Sequence, residues 1–120
     1  MHQFDFNDGK GPVPAYRHPN GGGWVAVTAK VAATACVGSS ARVFGNAKVS
    51  ENAWIYGDAE VYGNAEVYGN AWVSENARVF DNARVYGDAW ICGDACVFGY
   101  AWIHGEDIIS GNSKVSCINS

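Results

Sequence analysis

The side chains that could carry out acid–base or metal chemistry are few and widely spaced. The histidines and cysteines are His2, His18, His104, Cys36, Cys92, Cys96 and Cys117. No two cysteines form a CxxC pair, and the sequence holds no phosphate-binding loop, no nucleophile elbow and no carboxylate pair facing a cleft. We therefore expect free thiols, no metal, no cofactor and no catalytic activity.

Length and composition indicate a single domain built from repeats. The chain has 120 residues, with 8 Lys and Arg against 12 Asp and Glu, and the formal charge of −4 argues against direct nucleic-acid binding through phosphates. No apolar run approaches the roughly 20 residues of a membrane helix, and no secretory signal is evident, so we expect no membrane association and a cytoplasmic protein. The 15 Gly beside 3 Pro are typical of a repeat protein.

A six-residue repeat runs from Val25 to Ser120. Sixteen hexads follow one another without interruption, and their first position is always Val or Ile, while the fifth is Ala in the first thirteen. A helix cannot explain a period of six, because successive Val residues would fall on opposing helix faces. A short strand places the fifth and first positions inward and the sixth and second outward. The repeat therefore predicts an all-β fold of short, stacked parallel strands.

The third and fourth positions of each hexad must form the corners between strands. From residue 43 to residue 114 every corner pair contains Gly or Asn, and these residues tolerate positive φ. Three hexads carry an acidic residue at the third position in place of Gly. There the Asn that follows is predicted to be the left-handed residue, at Asn52, Asn76 and Asn82.

This pattern of an aliphatic first and a small fifth position resembles the hexapeptide-repeat superfamily. The resemblance covers residues 25–120 and implies a left-handed parallel β-helix with three hexapeptides per coil and about five coils. At about 4.8 Å per coil the rod would be on the order of 25 Å long. Because the Val, Ile and Ala columns would fill its interior, we expect function on the outer faces, at the ends or in residues 1–24.

Residues 18 positions apart become vertical neighbours on three predicted outer faces. The first face carries the aromatic column Phe44, Tyr62, Phe80 and Phe98 beside the charges Arg42, Glu60 and Arg78. The second carries alternating charges and rings, namely Lys48, Glu66, Arg84, Tyr68, Tyr86, Trp102 and His104. The third has almost no charge on its strands and carries Trp54, Trp72 and Trp90 with Cys36, Tyr56 and Ile108.

The third face is the strongest candidate for a protein interface, and the aromatic column of the first face is a second candidate. An apolar strip of several hundred Å² is seldom left in water by a monomer. On the charged faces, mutual stabilisation by stacked rings and opposite charges explains the residues equally well.

The superfamily commonly forms homotrimers, so a homodimer or homotrimer is the first partner expected, and a foreign protein the second. A nucleotide held by an aromatic ring and by Arg42, Arg78 or Arg84 is the alternative ligand.

The two ends depart from the repeat. Residues 1–24 hold all three Pro residues and are predicted to form an irregular N-terminal cap over exposed strand edges, with Phe4, Phe6, Val13, Tyr16 and Trp24 as plugs. The rival hypothesis is a partner-binding arm that uses Arg17, His18 and Asn20. At the other end, Ile118 and Asn119 break the pattern, which predicts a distorted coil that forms its own lid or meets a second rod.

The VYGNA hexads and the segment HPNGGGWV, at His18 to Val25, resemble short hexapeptide-repeat proteins of phages and prophages. This resemblance implies a small inhibitor that occupies a defence protein in the cytoplasm of a bacterial host. Acyltransferases of the superfamily rely on a histidine base, and a loop that interrupts their coils builds the acceptor site. Its carbonic anhydrases rely on three histidines that bind a metal. Here His104 is the only histidine of the repeats, and we expect it to be a solvent-facing column residue. The remaining alternatives are a sponge for a nucleotide signal, a self-assembling rod and a divergent acyltransferase.

Overall fold

The computed structural model describes residues 2–6 and 9–115, which form eighteen β-strands in three sheets. The first sheet contains β1 (His2–Asp5), β2 (Pro12–Arg17), β3 (Trp24–Ala26), β6 (Arg42–Val43), β9 (Glu60–Val61), β12 (Arg78–Val79), β15 (Cys96–Val97) and β18 (Lys114–Val115). The second contains β4 (Lys30–Val31), β7 (Lys48–Val49), β10 (Glu66–Val67), β13 (Arg84–Val85) and β16 (Trp102–Ile103). The third contains β5 (Cys36–Val37), β8 (Trp54–Ile55), β11 (Trp72–Val73), β14 (Trp90–Ile91) and β17 (Ile108–Ile109). These ranges include no helix long and apolar enough to cross a membrane.

The repeat strands stack in parallel with a register of eighteen residues. Val67 of β10 pairs with Val49 of β7 and with Val85 of β13, and the other two sheets keep the same offset. Three consecutive strands therefore complete one coil. This arrangement confirms the predicted all-β, parallel, three-sided solenoid of about five coils.

The interior is built from the first and fifth hexad positions. The aliphatic residues from Val37 to Ile103 and the Ala residues between them are at most 1% exposed, because they pack on one another between stacked coils. Full burial of one such Val or Ile side chain contributes about 1.5–3 kcal/mol before conformational entropy is counted. The core loosens toward both ends, where Val31, Ile109 and Val115 are only partly buried.

From residue 45 to residue 111 the corners take positive φ at the third hexad position, even where that residue is acidic. Gly57 has φ 65°, and Glu51, Glu75 and Asp81 have φ 58°, 58° and 59°. The prediction that the following Asn residues, Asn52, Asn76 and Asn82, are the left-handed ones is therefore wrong. From residue 46 to residue 94, the N–H of each fourth-position residue donates to the third-position carbonyl of the next coil, as at residues 52 and 69. This repeated bond accompanies one corner conformation throughout these hexads, whatever the residue. In the first coil the hydroxyls of Thr28 and Thr34 donate instead to the carbonyls of Gly45 and Glu51.

The acidic corner residues gain a bond that Gly cannot make. In each of the three, the carboxylate accepts a hydrogen bond from the backbone N–H of the Gly that lies 18 positions later. The donor–acceptor distances are 2.7 Å for Gly69 to Glu51, 2.6 Å for Gly93 to Glu75 and 3.1 Å for Gly99 to Asp81. A charge-assisted bond of this kind offsets the strain of a left-handed side-chain-bearing residue.

Strands β2 and β1 extend the first sheet beyond β3: β2 pairs antiparallel with β3, and β1 pairs antiparallel with β2. Phe6 stacks on Phe44 at 4.7 Å and Phe4 stacks on Trp24 at 4.8 Å, forming a second core on the outer side of the sheet. Phe4, Phe6 and Trp24 therefore cover the start of the first face on its outer side and do not fill the interior, and Tyr16, a predicted plug, is 37% exposed. Phe44 is only 4% exposed under this cover, so its assignment to an open protein interface is wrong.

The loop after β2 closes over β5, the first strand of the third sheet. The Val37 N–H donates to the Asn20 carbonyl at 3.0 Å. His18 is buried, and its Nε2 donates to the Ala35 carbonyl at 2.8 Å. Arg17 donates to a carbonyl of the same loop at 3.0 Å. These contacts favour the capping interpretation over the partner-binding arm proposed for Arg17, His18 and Asn20.

The lid predicted for the C-terminal coil, with Ile118 and Asn119, falls on residues 116–120. These residues, and Cys117 among them, lie outside the described part of the chain.

Candidate protein-binding face

The third sheet displays its sixth and second hexad residues on one outer surface, which we call the Trp face. It consists of Cys36, Gly38, Trp54, Tyr56, Trp72, Ser74, Trp90, Cys92, Ile108 and Ser110. The sequence predicted Trp54, Trp72, Trp90, Tyr56 and Ile108 as interface residues, and the structure brings all five together here.

The three indoles form one continuous stack. Trp72 pairs with Trp54 and Trp90 in the sheet, the ring centroids are 5.2 and 4.9 Å apart, and the ring planes agree within 6°. Because the flat surfaces of the rings cover one another, the indole edges face outward. Trp54 and Trp90 remain 45% and 46% exposed, and the central Trp72 is half-buried.

A groove of about 350 Å³ runs along one side of the stack, and we call it the Ser74 groove. It arises because Ser74 is much smaller than Tyr56, which precedes it by one coil. Tyr56 meets the Trp72 ring edge-on at 6.1 Å and 70°, and so closes one end of the groove. Glu75 lines the groove from the adjoining corner. The groove therefore combines indole walls with a carboxylate.

A second groove of about 290 Å³ lies around the last indole, and we call it the Ile108 groove. It is lined by Asp88, Trp90, Glu106 and Ile108. Ile108 pairs with Trp90 in the sheet but has a smaller side chain than an indole, and it is itself 63% exposed. This groove also combines an aromatic wall with carboxylates, so Trp90 stands between two sites of the same character.

Charge is strongly segregated around the Trp face. Its strands and adjoining corners comprise residues 33–40, 51–58, 69–76, 87–94 and 105–112. These segments contain seven of the twelve acidic residues and none of the eight Lys and Arg residues, a formal charge of −7. The rest of the chain, with eight basic and five acidic residues, has a formal charge of +3. The seven carboxylates, all on exposed residues, are Glu51, Asp58, Glu75, Asp88, Asp94, Glu106 and Asp107.

Several of these carboxylates are held in place by hydrogen bonds. Besides the bonds from backbone N–H groups to Glu51 and Glu75, Asn70 Nδ2 donates to Asp88 Oδ1 at 3.3 Å. Sequence reasoning missed these acidic corners because it sorted only the outward strand residues by face. The signal was present, since the hexad position of each Asp and Glu already assigns it to a corner.

The first face is stabilised within the chain itself. Phe44, Tyr62, Phe80 and Phe98 stack at centroid distances of 4.7, 5.0 and 5.3 Å. Glu60 lies between Arg42 and Arg78, with N–O distances of 3.8 and 3.9 Å. Burial raises the pKa of Tyr62 above its ordinary value of 10.0, opposed by the cationic Arg78. The stacked rings and the opposite charges on neighbouring strands therefore stabilise the solenoid itself.

The second face has the same character. Tyr68, Tyr86 and His104 stack at 5.0 and 5.4 Å, so His104 occupies the column position predicted for it. Arg84 lies 3.8 Å from Glu66 and 5.4 Å from the centre of the Trp102 ring. The arginines considered as phosphate ligands on these two faces thus face carboxylates of their own chain.

Among the described residues, neither the cysteines nor other ligand-type side chains gather into a metal site. Cys36, Cys92 and Cys96 are free thiols. Across residues 2–6 and 9–115 there is no cluster of three or more His, Cys, Asp or Glu side chains that could hold a metal ion.

Comparison with known proteins supports the repeat architecture. A family model described as the YdcK beta solenoid repeat matches residues 59–75 and 77–92, in the middle of the stacked coils. No curated protein and no solved structure gives a significant match to the chain. The chain is a β-solenoid repeat protein.

Proposed function

We propose that this chain is a non-catalytic binding protein that acts by occupying a partner protein, with the Trp face as its contact surface. The observation that carries the proposal is the stack of Trp54, Trp72 and Trp90, whose edges remain in solvent on a face with no basic residue.

The physical argument is the large apolar area left in water. Trp54 and Trp90 expose nearly half of their surface and Ile108 more than half, and covering such area contributes about 25 cal/mol per Å². Stacked indoles are rigid, so they lose little conformational entropy when a partner covers them. Trp is also enriched among the residues that dominate binding energies. The aromatic columns of the other two faces are less available, because Phe44 is buried and the Tyr and Phe residues stacked beyond it, like Tyr68 and Tyr86, are partly buried.

The finer version of the proposal is an inhibitor of a host defence protein, made by a phage or prophage and acting in the cytoplasm of the bacterial host. It is supported by the resemblance of the VYGNA hexads and of the segment from His18 to Val25 to short phage repeat proteins. Self-association as a homodimer or homotrimer is part of the proposal, and the resemblance to the hexapeptide-repeat superfamily supports it.

The test compares the triple variant Trp54→Ser, Trp72→Ser, Trp90→Ser with Trp102→Ser, which removes an equally exposed indole from the second face. Each protein is first shown to be folded by circular dichroism and is then used to capture partners from a bacterial lysate. We expect the triple variant to lose the partners that wild type and Trp102→Ser retain. Equal recovery by all three proteins would contradict a role for the Trp face.

Light scattering coupled to size exclusion gives the oligomeric state of the same three proteins. A mass that grows with concentration would support the self-assembling rod instead. Thermal stabilisation by a cyclic nucleotide, or binding of coenzyme A in calorimetry, would support the sponge or the acyltransferase.

A further inference from the structure

We propose that the partner surface covering the Trp face is a basic protein segment, whose Arg or Lys side chains enter the Ser74 and Ile108 grooves. This inference rests on the proposed function, and it adds the chemistry of the partner.

Charge complementarity is the first argument. The Trp face and its corners have a formal charge of −7, and none of the eight Lys and Arg residues of the chain lies there. Carboxylates on both edges surround an apolar centre. Such a surface attracts a cationic segment at long range and repels an acidic one.

The shape and chemistry of the two grooves are the second argument. Long cationic side chains bury their apolar stems along aromatic surface and keep their charged heads at a polar rim. In the Ser74 groove the stem would lie beside Trp72 and Trp90, with the head at Glu75. In the Ile108 groove it would lie beside Trp90, with the head between Asp88 and Glu106. A purely apolar side chain would leave these carboxylates partly desolvated and unpaired.

The positions of the acceptors are the third argument. The backbone N–H of Gly93 holds the Glu75 carboxylate at 2.6 Å, and Asn70 contacts Asp88 at 3.3 Å. Because each carboxylate has two oxygens, one remains for a ligand while the other keeps its contact. Side chains fixed before binding lose less entropy on binding.

The same charges disfavour a second copy as the occupant. In a symmetric dimer through the Trp face, an identical patch of formal charge −7 would lie against this one. Like charges brought together across an interface weaken it. The Trp face is therefore a surface for a foreign basic segment and not for another copy.

The test uses synthetic peptides and the indole N–H signals of the five Trp residues in nuclear magnetic resonance, assigned by substitution. The probe is a blocked peptide of alternating Gly and Arg, compared with the same peptide carrying Glu or Leu in place of Arg. We expect only the Arg peptide to shift the signals of Trp72 and Trp90, while Trp102 stays unmoved. Binding should weaken as salt rises.

Two charge variants show whether the carboxylates of the grooves, or the net charge of the chain, bind the Arg peptide. The triple variant Glu75→Gln, Asp88→Asn, Glu106→Gln neutralises the grooves, and the amide oxygen that it places at position 75 can still accept the corner bond. The matched control Glu60→Gln, Glu66→Gln, Asp81→Asn removes the same net charge from elsewhere. We expect about tenfold weaker peptide binding for the groove variant and less than about twofold for the control.

Each other outcome overturns the inference. Equal weakening in both variants would indicate a net-charge effect only, and binding of the Glu or Leu peptide would show the wrong partner chemistry. A dimer that the Trp triple variant abolishes would show that a second copy covers the face. If the Arg peptide shifts no indole signal while the Trp triple variant still loses its captured partner, the basic chemistry fails and the proposed function stands. If the triple variant also keeps its partners, both fail.

Discussion

The carboxylate of Glu75 accepts a hydrogen bond of 2.6 Å from the backbone N–H of Gly93, one coil further along. Glu75 has φ 58°, a conformation that favours Gly, yet it occupies a corner of the solenoid without disturbing the stacking above or below it. Glu75 therefore combines a strained backbone conformation with a hydrogen bond between coils. Different substitutions at this position can measure the two energies separately.

Three variants of Glu75 should differ in a set order. Glu75→Ala loses the acceptor and keeps the strain, so the free energy of unfolding should fall by about 1–2 kcal/mol. Glu75→Gly loses the acceptor but relieves the strain, and Glu75→Gln keeps an acceptor oxygen, so both should lose less. Urea unfolding with an unchanged m-value measures the differences. An Ala variant as stable as wild type would show that the bond contributes nothing.

Gly57 and Gly105 should respond differently to the same substitution. Their φ angles are 65° and 64°. A Cβ at Gly57 would lie 2.7 Å from the backbone nitrogen of Glu75, whereas a Cβ at Gly105 meets no described atom within 4 Å. Gly105→Ala should cost about 1–2 kcal/mol from conformation alone, and Gly57→Ala about 1–3 kcal/mol more. Equal losses in thermal unfolding would mean that the coils separate easily at the corners.

Trp72 should stabilise the solenoid more than Trp102 does. Trp72 stacks on an indole on either side, at 5.2 and 4.9 Å, while Trp102 lies under Arg84 at 5.4 Å. Each aromatic pair is worth about 0.5–1.5 kcal/mol, so Trp72→Ala should lose about 1–3 kcal/mol and Trp102→Ala about 1 kcal/mol or less. Denaturant unfolding of the two variants gives the comparison. A larger loss at Trp102 would contradict the assigned stacking energy.

Stability should fall at alkaline pH through Tyr62. Burial raises its pKa above 10.0 in the folded state, so the unfolded chain releases this proton first. The stabilising contribution is complete below pH 10 and is lost as the pH rises through the folded-state pKa. Tyr62→Phe should make the fall less steep, and Tyr100→Phe, at a residue that is 70% exposed, is the control. Parallel loss in wild type and Tyr62→Phe above pH 10 would contradict this assignment.

The solenoid itself could be predicted from the sequence. Each hexad has two apolar positions, the first and the fifth, and both are buried when short parallel strands stack into coils. Vertical neighbours such as Trp54 and Trp72 follow from that register without further information. The corners were harder to predict. Asn52 was favoured over Glu51 by residue preference alone, but stacking imposes one backbone conformation on the corners from residue 45 to residue 111 and overrides that preference.

The cap could not be predicted from the sequence, whereas the acidic edges of the Trp face could have been predicted and were missed. Phe6 lies in a segment without periodicity, so nothing in the sequence shows that it stacks on Phe44 outside the sheet. Glu75 and Asp88 lie in the regular repeat, so their hexad positions already place them beside Trp90. Sorting by face left them out, because it counted only strand residues, and the grooves showed that corners and strands share one surface.

The eighteen-residue offset between paired strands also limits how the Trp face can change in length. An inserted segment of one whole coil between Trp72 and Trp90 would leave the azimuth of every later side chain unchanged and could add a fourth indole. Deletion of a single hexad there would turn all later residues by a third of a revolution and move Trp90 onto the second face. The contact surface can therefore be lengthened or shortened only in steps of three hexads. The number of coils then sets, in whole steps, how large a partner surface the Trp face can cover.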